Sequence, residues 1–268
     1  MTNSLKRFSA PISDSVWDEI DDNAADILRS RLSARTVVDF NGPLGWDVDS
    51  IGLGRTNIVD NGGADKPSWG TRQSLPLVEL RQPFILSLSE LENLERGAKD
   101  VDLDALEAAA KAMAAFEENI VYKGLAQAGI EGMLSGADTE AIVTEAQPAA
   151  MVDAVAAAIT QLRENNIGGP YALVGGSKAF DILSRIIQGG GTVYRIVEQM
   201  TGSTPEWSPV IDGAAVVSLR GGDYELTVGQ DLSVGYTGHD SDNISLYLVE
   251  TLTFRVLEPR ATVEIKFK

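Results

Sequence analysis

The chain has 268 residues, which is enough for one large domain or two smaller units with a hydrophobic core. It contains no cysteine, so disulfides, thiolate metal sites and thiol catalysis are excluded, and a reducing cytoplasm is the expected location. The net charge of −17 argues against nucleic acid and anionic membranes as partners, and neither a membrane span nor a secretory signal is predicted.

The first predicted helix begins at Ser13 or Ser15 and ends at about Ser33, because apolar residues recur there at helical spacing. Its apolar stripe consists of Trp17, Ile20, Ala24, Ile27 or Leu28, and Leu32. A separate acidic stripe is formed by Asp14, Asp18, Asp22 and Asp26. The helix is therefore predicted to be amphipathic, with one apolar side and one acidic side.

Residues 36–81 are predicted to be extended, with turns. Val48–Val59 and Ser68–Leu80 are expected to form the two arms of a long hairpin whose turn starts at Asn61. Because an isolated two-stranded hairpin is only marginally stable in water, this one needs a partner surface. That surface belongs either to a neighbouring subunit or to the same chain, and the periodicity leaves both alternatives open.

A long helix is predicted from a cap at Asp102 to about Ala128, with Gly129 just past its end. Its apolar stripe, in steps of three or four residues or their multiples, consists of Leu103, Leu106, Ala110, Met113, Ile120 and Leu125. Helices and short strands then alternate. Helices are predicted over Pro148–Glu164, Ser177–Gln188 and Tyr194–Met200, and strands over Tyr171–Val174, Ala214–Leu219 and Tyr224–Val228.

The last part of the chain alternates apolar and polar residues, which predicts two strands. The first strand spans residues 244–256 and the second spans residues 261–267. Glu250 interrupts the apolar face of the first strand. It is either a locally exposed position or a buried carboxylate paired with an arginine.

No group of residues indicates catalysis, a metal site or a cofactor. The run Gly175-Gly176-Ser177-Lys178 lacks the spacing of a phosphate-binding loop, and a role of Ser177 as a helix N-cap explains it. His239, the only histidine, is expected in an exposed turn without a second cluster of ligands. The acidic run over residues 90–95 is predicted to be a solvated turn or a short helix.

Several short motifs follow one another along nearly the whole chain. They are GPLGW from Gly42, SLPLVELR from Ser74, NLERG from Asn93, RGGDYEL from Arg220 and GQDLSVGY from Gly229. In this order the motifs resemble those of the family 1 encapsulins, the linocin-like shell proteins of bacterial and archaeal nanocompartments. The resemblance implies an α+β fold of the tailed-phage major capsid protein (HK97-like) type, with an axial domain, a peripheral domain and an extended loop.

The resemblance also implies a division of the chain. Residues 1–46 would form the N-terminal arm, a lumen-facing helix and the first part of the peripheral domain. Residues 47–80 would form the extended loop, an inter-subunit hairpin, and residues 81–134 would return to the peripheral domain with its spine helix. Residues 135–228 would form the axial domain around a five-fold pore, and residues 229–268 the C-terminal strands of the peripheral domain.

The function implied by the resemblance is that of a non-enzymatic shell protomer. About 60 or more identical copies would assemble into a hollow icosahedral particle. Such shells enclose cargo enzymes, of the peroxidase or ferritin-like iron-storage type, through a C-terminal targeting peptide that docks in an apolar groove on the interior wall. The implied groove residues are Ile27, Leu28, Arg31, Leu32, Arg35, Asp39, Leu232, Val234 and Tyr236. The alternative is that these residues only pack the helix against its own strands.

The resemblance places a pore for small solutes at the five-fold axis, where axial domains of the capsid fold meet. The implied pore residues are Gln188, Gly189, Gly190, Gly191 and Thr192. Two other functions are weighed against the shell protomer. A viral major capsid protein would share the fold but package DNA, which the net charge disfavours. A secreted bacteriocin or peptidase would need a signal segment or a catalytic constellation, and neither is predicted.

Overall fold

The computed structural model describes residues 4–60, 65–187 and 191–268. The helices in these ranges are α1 (Asp14–Arg29), α2 (Ala34–Val37), α3 (Leu88–Glu95), α4 (Asp104–Lys123), α5 (Pro148–Glu164), α6 (Ser177–Leu183) and α7 (Val193–Thr201). The strands are β1 (Asp39–Asn41), β2 (Ser50–Asp60), β3 (Trp69–Pro76), β4 (Val78–Ser87), β5 (Gly124–Leu125), β6 (Ile130–Glu131), β7 (Ile142–Thr144), β8 (Tyr171–Gly175), β9 (Glu206–Trp207), β10 (Ala214–Ser218), β11 (Tyr224–Val228), β12 (Ser233–His239), β13 (Asn243–Val256) and β14 (Thr262–Phe267). Within the described ranges, no helix is both long enough and apolar enough to cross a bilayer.

Two five-stranded sheets organise these elements. In the first sheet the strand order is β1-β11-β13-β12, with β4 also paired to β13. Strand β13 is long enough to hold β4 along one edge, and β12 and β11 in succession along the other. In the second sheet the order is β7-β14-β10-β8-β9. Strands β2 and β3 form a separate hairpin, and β5 and β6 form a short two-stranded pair.

Two strand pairings join ranges that the division of the sequence keeps apart. Strand β11, within the range 135–228, pairs with β13 in the first sheet. Strand β14, within the range 229–268, pairs with β10 in the second sheet, where Val263 is opposite Val216. Alternation of apolar residues predicts that a strand has a buried face, but it does not specify which sheet supplies the neighbouring strand.

Helix α1 packs on α4 and on β12, and its buried residues confirm most of the predicted apolar stripe. The helix ends at Arg29, however, so the prediction that it reaches Ser33 was wrong over its last turn. The hydroxyl of Ser30 donates to the carbonyl of Ile27 (2.7 Å). Ser33 instead turns toward the spine helix, where its hydroxyl donates to Glu118 (2.6 Å). A tertiary contact therefore replaces the last helical turn.

Helix α4 is the predicted spine, and it lies against β4 and β13 of the first sheet. The Asp102 carboxylate accepts from the backbone N–H of Asp104 (3.0 Å) at the start of the helix. The helix ends at Lys123, five residues before the predicted end. Gly124 has a φ of 85°, and a Cβ there would lie 2.7 Å from the backbone oxygen of Ile130. Only glycine tolerates this reversal, which sends the chain into the β5–β6 pair.

The predicted hairpin is confirmed, since β2 and β3 pair antiparallel. Its second arm ends at Pro76 rather than Leu80, because the chain continues from Val78 as β4 of the first sheet. The predicted turn at Asn61 lies outside the described residues. No described residue of β2 or β3 is buried, and Ile58 and Trp69 are 66% and 56% exposed. The hairpin thus presents apolar side chains that its own fold does not cover.

Most of the remaining predicted elements are confirmed, including α5 and β11 with the predicted bounds. Helix α6 ends at Leu183, so the predicted extension toward Gln188 was too long, and Gln188 itself lies outside the described residues. Ser177 is the first helical residue rather than the N-cap, which is Gly176. The Ser177 hydroxyl lies 3.4 Å from the indole N–H of Trp207 instead.

Candidate functional site

A groove runs between helix α1 and the start of strand β12. It consists of two adjoining cavities of about 350 Å³ and about 380 Å³, which share Ala25, Leu28 and Leu232. We call it the α1–β12 groove, and its apolar lining is Leu5, Ala24, Ala25, Leu28, Leu32, Leu232, Val234 and Leu248. Charged pairs lie at its two ends, Arg7 with Asp21 and Arg35 with Asp231.

The local sequence accounts for the shape of the groove. Alanines at positions 24 and 25 leave space on α1 between the longer side chains of Asp21 and Leu28. On the opposite side, the Asp231 carboxylate accepts from the backbone N–H of Leu232 (2.8 Å), which fixes the residue where β12 begins. An apolar trough with polar ends is the kind of surface that binds an extended or helical peptide through aliphatic anchors.

Five of the nine groove residues implied by the resemblance line this groove. They are Leu28, Leu32, Arg35, Leu232 and Val234. Ile27 does not line either cavity and packs, half-buried, against the hydrophobic core. Arg31 is turned away, since its guanidinium carbon lies 5.7 Å from the centroid of the Trp207 ring.

Asp39 and Tyr236 also make contacts outside the groove. The Asp39 carboxylate accepts from the backbone N–H of Gly222 (2.6 Å) and faces a different cavity. The hydroxyl of Tyr236 lies 2.6 Å from Nδ1 of His239. His239 is exposed, as expected, but it ends strand β12 rather than occupying a turn. No cluster of three or more metal-ligating side chains is found among the described residues.

Arg35 is the centre of a buried charge cluster at one end of the groove. Its Nε and Nη2 donate to the two carboxylate oxygens of Glu117 (2.7 and 3.0 Å). Nη2 also donates to Glu250 (2.6 Å), and Nη1 donates to Asp231 (3.0 Å). Glu117 and Glu250 are completely buried. The interpretation of Glu250 as a buried carboxylate paired with an arginine is therefore confirmed.

The cluster holds three carboxyl groups and one guanidinium, so its charges do not balance. Burial raises the pKa of Glu250 well above its usual value, and the neighbouring charge of Glu117 raises it further. The Oε2 atom of Glu250 has no hydrogen-bond partner among the described residues. Burial acts to lower the pKa of Arg35, but the hydrogen bond and charge of Glu117, together with the charges of Glu250 and Asp231, outweigh it and raise the pKa. Burial also raises the pKa of Glu117, against the lowering effect of the hydrogen bonds and charge of Arg35. The neutral form of Glu250 is therefore favoured, and Glu117 is the bidentate partner of Arg35.

Glu118, the next residue of α4, joins this helix by hydrogen bonds to residues 33–34 and to Ser208. Its carboxylate accepts from the hydroxyls of Ser33 and Ser208 (2.6 Å each) and from the backbone N–H of Ala34 (2.7 Å). Burial raises the pKa of Glu118 to about 7, against the lowering effect of these hydrogen bonds. Glu117 and Glu118 together hold residues 33–35 against the spine helix, and this arrangement positions the end of the groove.

Glu118 is expected to make the stability of the protein depend on pH. Its pKa is higher in the folded protein than the value of 4.5 for the free group. The folded state therefore holds the proton more tightly, and Glu118 by itself should lower the free energy of unfolding by about 3 kcal/mol as the pH rises from about 4.5 to about 7. The raised pKa of Glu250 adds to the fall. Thermal unfolding midpoints across this range would measure the total, and E118Q should remove the part that Glu118 contributes. E107Q, at an exposed position, is the control, and identical profiles for E118Q and the unaltered protein would contradict the assignment.

The sequence analysis missed the two glutamates of α4, although the spacing of apolar residues around Glu117 indicates that this position is buried. Met113, Glu117 and Ile120 follow at steps of four and three residues, so Glu117 occupies the gap in the predicted apolar stripe. A charged residue at an otherwise apolar helical position, like Glu250 in its strand, marks a candidate buried ion pair.

The implied pore residues are mostly outside the described part of the chain. Gln188, Gly189 and Gly190 are not among the described residues. Gly191 is exposed, and Thr192 is the N-cap of α7, where its hydroxyl accepts from the backbone N–H of Arg195 (3.4 Å). Thr192 therefore has a structural role at the start of this helix.

Comparison with solved structures defines the class of protein. The chain superimposes on the virus-like particle from Pyrococcus furiosus with a TM-score of 0.65, covering 92% of this chain and 98% of the other at 17% identity. It matches the capsid of Myoviridae phage XM1 with a TM-score of 0.57, covering 88% and 92% at 15% identity. The fold is that of the HK97-like capsid proteins, which confirms the predicted fold class.

Comparison with known sequences defines the family. Residues 1–253 match the family described as encapsulating protein for peroxidase. The type 1 encapsulin shell protein of Rhodospirillum rubrum is 41% identical over 98% of this chain and 96% of its own length. The chain belongs to this family of encapsulin shell proteins, as the resemblance in the sequence implied.

Proposed function

We propose that the chain is the protomer of a closed, hollow nanocompartment in the cytoplasm. Its copies assemble into an icosahedral shell that encloses cargo enzymes of the peroxidase or ferritin-like type and admits small solutes through pores flanked by residues 188–192. The observation that carries the assembly is the hairpin β2–β3: none of the described residues of its two strands is buried, and Ile58 and Trp69 are exposed. A neighbouring copy that covers these side chains would remove apolar surface from water.

The α1–β12 groove supports the second part of the proposal, the capture of cargo. Its middle is apolar, and each end carries a charged pair. A C-terminal tail on the cargo would bury aliphatic side chains against Leu28 and Leu232, with its polar groups directed toward the ends. The phage capsid compared above shares the fold at 15% identity. The relative at 41% identity is a shell protein, and this favours a nanocompartment over a virus.

Electron microscopy of the purified protein tests the assembly directly. Closed particles of uniform size are expected, and a protein that stays monomeric at high concentration would overturn the proposal. Purification of the particles from the native host, followed by mass spectrometry of their contents, would then identify the cargo. Particles filled with DNA would instead indicate a viral capsid protein.

A charged side chain in the groove is expected to empty the shell without preventing its assembly. Leu232 is only partly buried and lines both cavities, so L232D should place an unpaired carboxylate where the peptide anchors would lie. We expect at least a tenfold loss of co-purified cargo, measured by quantitative mass spectrometry of intact particles. L232M, which keeps an apolar side chain of similar size, is the matched control. Loss of particles in L232D would show that Leu232 is a core residue instead.

A further inference from the structure

The segment Ser4–Arg7 lies along the free edge of strand β12. This strand pairs with β13 on one side only, so its other edge offers unpaired backbone groups. The backbone N–H of Tyr236 donates to the carbonyl of Leu5 (2.8 Å), and the Nε–H of Arg7 donates to the carbonyl of Val234 (2.8 Å). The hydroxyl of Tyr247 donates to the carbonyl of Ser4 (3.1 Å). The segment therefore occupies two backbone groups on this edge of β12, one through its own backbone and one through the Arg7 side chain.

Arg7 fastens this segment to helix α1 as well. Its guanidinium donates two hydrogen bonds to the carboxylate of Asp21 (2.6 and 2.7 Å) and lies over the ring of Trp17, 4.5 Å from the centroid. Both partners of this ion pair are accessible, with side-chain exposures of 28% for Arg7 and 41% for Asp21. Because neither partner is fully buried, release of the segment would not leave an ion without access to water.

Leu5 and Arg7 line the same cavity of the α1–β12 groove as Leu28, Leu232 and Val234. The segment Ser4–Arg7 thus forms part of the wall of one of the two cavities. Lys6, between them, has a φ of 52°, which is unfavourable for a residue other than glycine. A peptide that follows β12 beyond Leu232 would need the backbone groups of Val234 and Tyr236, and Leu5 and Arg7 occupy both of them.

We propose that Ser4–Arg7 is a resident ligand of the α1–β12 groove, displaced when a partner peptide binds. The inference rests on the proposed function of the groove and adds its regulation. A peptide that replaces the segment must make the contacts that the segment gives up. It needs an aliphatic side chain for the site of Leu5 and, two residues later, a cation for the carboxylate of Asp21. The partner is therefore a peptide with an aliphatic–x–basic pattern, and the tethered segment lowers its apparent affinity.

The segment itself supplies the probe. The groove would face the interior of the closed shell, so a fluorescent peptide with the sequence of residues 4–10 is added to dissociated protein before it reassembles, and binding is followed by anisotropy. In the variant L5G/R7A the tethered copy is weakened, and the free peptide should bind saturably. In the unaltered protein the tethered copy competes at an effective concentration of order millimolar, so a peptide with a Kd of about 100 μM should bind about tenfold more weakly.

Control peptides show whether the expected contacts are used. Replacing the arginine of the peptide by alanine, or its leucine by aspartate, should abolish binding to L5G/R7A. Equal binding to the unaltered protein and to L5G/R7A, or binding that does not depend on the arginine and leucine, would overturn the proposal. No binding to correctly assembled L5G/R7A would overturn it too.

Hydrogen exchange gives a second measurement that needs no altered segment. D21N keeps Leu5 and Arg7 but weakens the ion pair, and the amide of Tyr236 should then exchange at least about fivefold faster than in the unaltered protein, which corresponds to about 1 kcal/mol. Unchanged exchange would contradict a releasable segment.

If the peptide of residues 4–10 binds as expected but no cargo tail does, the proposed function fails and this inference stands. If a cargo tail binds L5G/R7A and the unaltered protein equally, the inference fails and the proposed function stands.

Discussion

Replacement of Arg35 by methionine is expected to lower the free energy of unfolding by about 3–5 kcal/mol, one of the two largest effects predicted for this protein. Methionine fills much of the space of the arginine stem, but it leaves the carboxylate of Glu117 buried without a cation. Glu250 also loses its partner, although its raised pKa allows it to remain neutral. Denaturant unfolding followed by tryptophan fluorescence, at one protein concentration, would measure the loss.

Two further variants distinguish the effect of leaving a carboxylate buried without its cation from the effect of removing any arginine. R96M removes an exposed ion pair with Glu92 and should cost no more than about 0.5 kcal/mol. The double variant R35M/E117Q removes the stranded charge together with its partner, so it should recover part of the stability lost in R35M. Equal midpoints for R35M and R96M would contradict the role assigned to the cluster.

The variant I58D/W69D is expected to fold but to form few particles. Neither residue is buried within its own chain, so the secondary structure should persist. If the hairpin packs on a neighbouring copy, as proposed, each contact between copies would then contain unpaired charges. A loss of 1.4 kcal/mol per contact already reduces association tenfold, so the assembled fraction should fall at least about tenfold. Size-exclusion chromatography and electron microscopy would measure it.

The matched control for the hairpin is I58V/W69F, which keeps both side chains apolar and should assemble normally. Circular dichroism of I58D/W69D distinguishes the two alternatives that the sequence left open. If the variant is folded but does not assemble, the hairpin packs on a neighbouring copy. An unfolded protein would show that the hairpin packs on its own chain, and normal particles would show that these side chains make no important contact.

Short-range patterns were sufficient for most of the secondary structure. The helix over Pro148–Glu164 was predicted with its observed bounds, because proline begins it and an Asn-Asn-Ile-Gly-Gly stretch follows it. The predicted ends of α1 and α4 were too late by four and five residues. In both places the chain leaves the helix for a contact with a distant residue or for a strand pair, and no local pattern contains that information.

The groove was predicted only in part. The resemblance implied that Leu28, Leu32 and Leu232 line it, and all three border its cavity. Leu28 lies on the apolar side of α1, Leu32 follows the end of the helix, and Leu232 precedes β12. Arg31 and Asp39 were expected at the same place and lie elsewhere. Arg31 lies beyond the end of α1, where no helical periodicity fixes the direction of its side chain, and it packs against Trp207.

By itself, the sequence determined the family, the hairpin, the spine helix and the suspicion of an ion pair at Glu250, since each depends on motifs or on spacings within one element. Only the tertiary structure decided that Arg35 joins Glu117 and Glu250, which lie 82 and 215 residues away along the chain. It also decided that β14 belongs to the second sheet and that the segment Ser4–Arg7 lies on the edge of β12. Periodicity reports which face of an element is buried, whereas the partner that buries it depends on how distant parts of the chain come together.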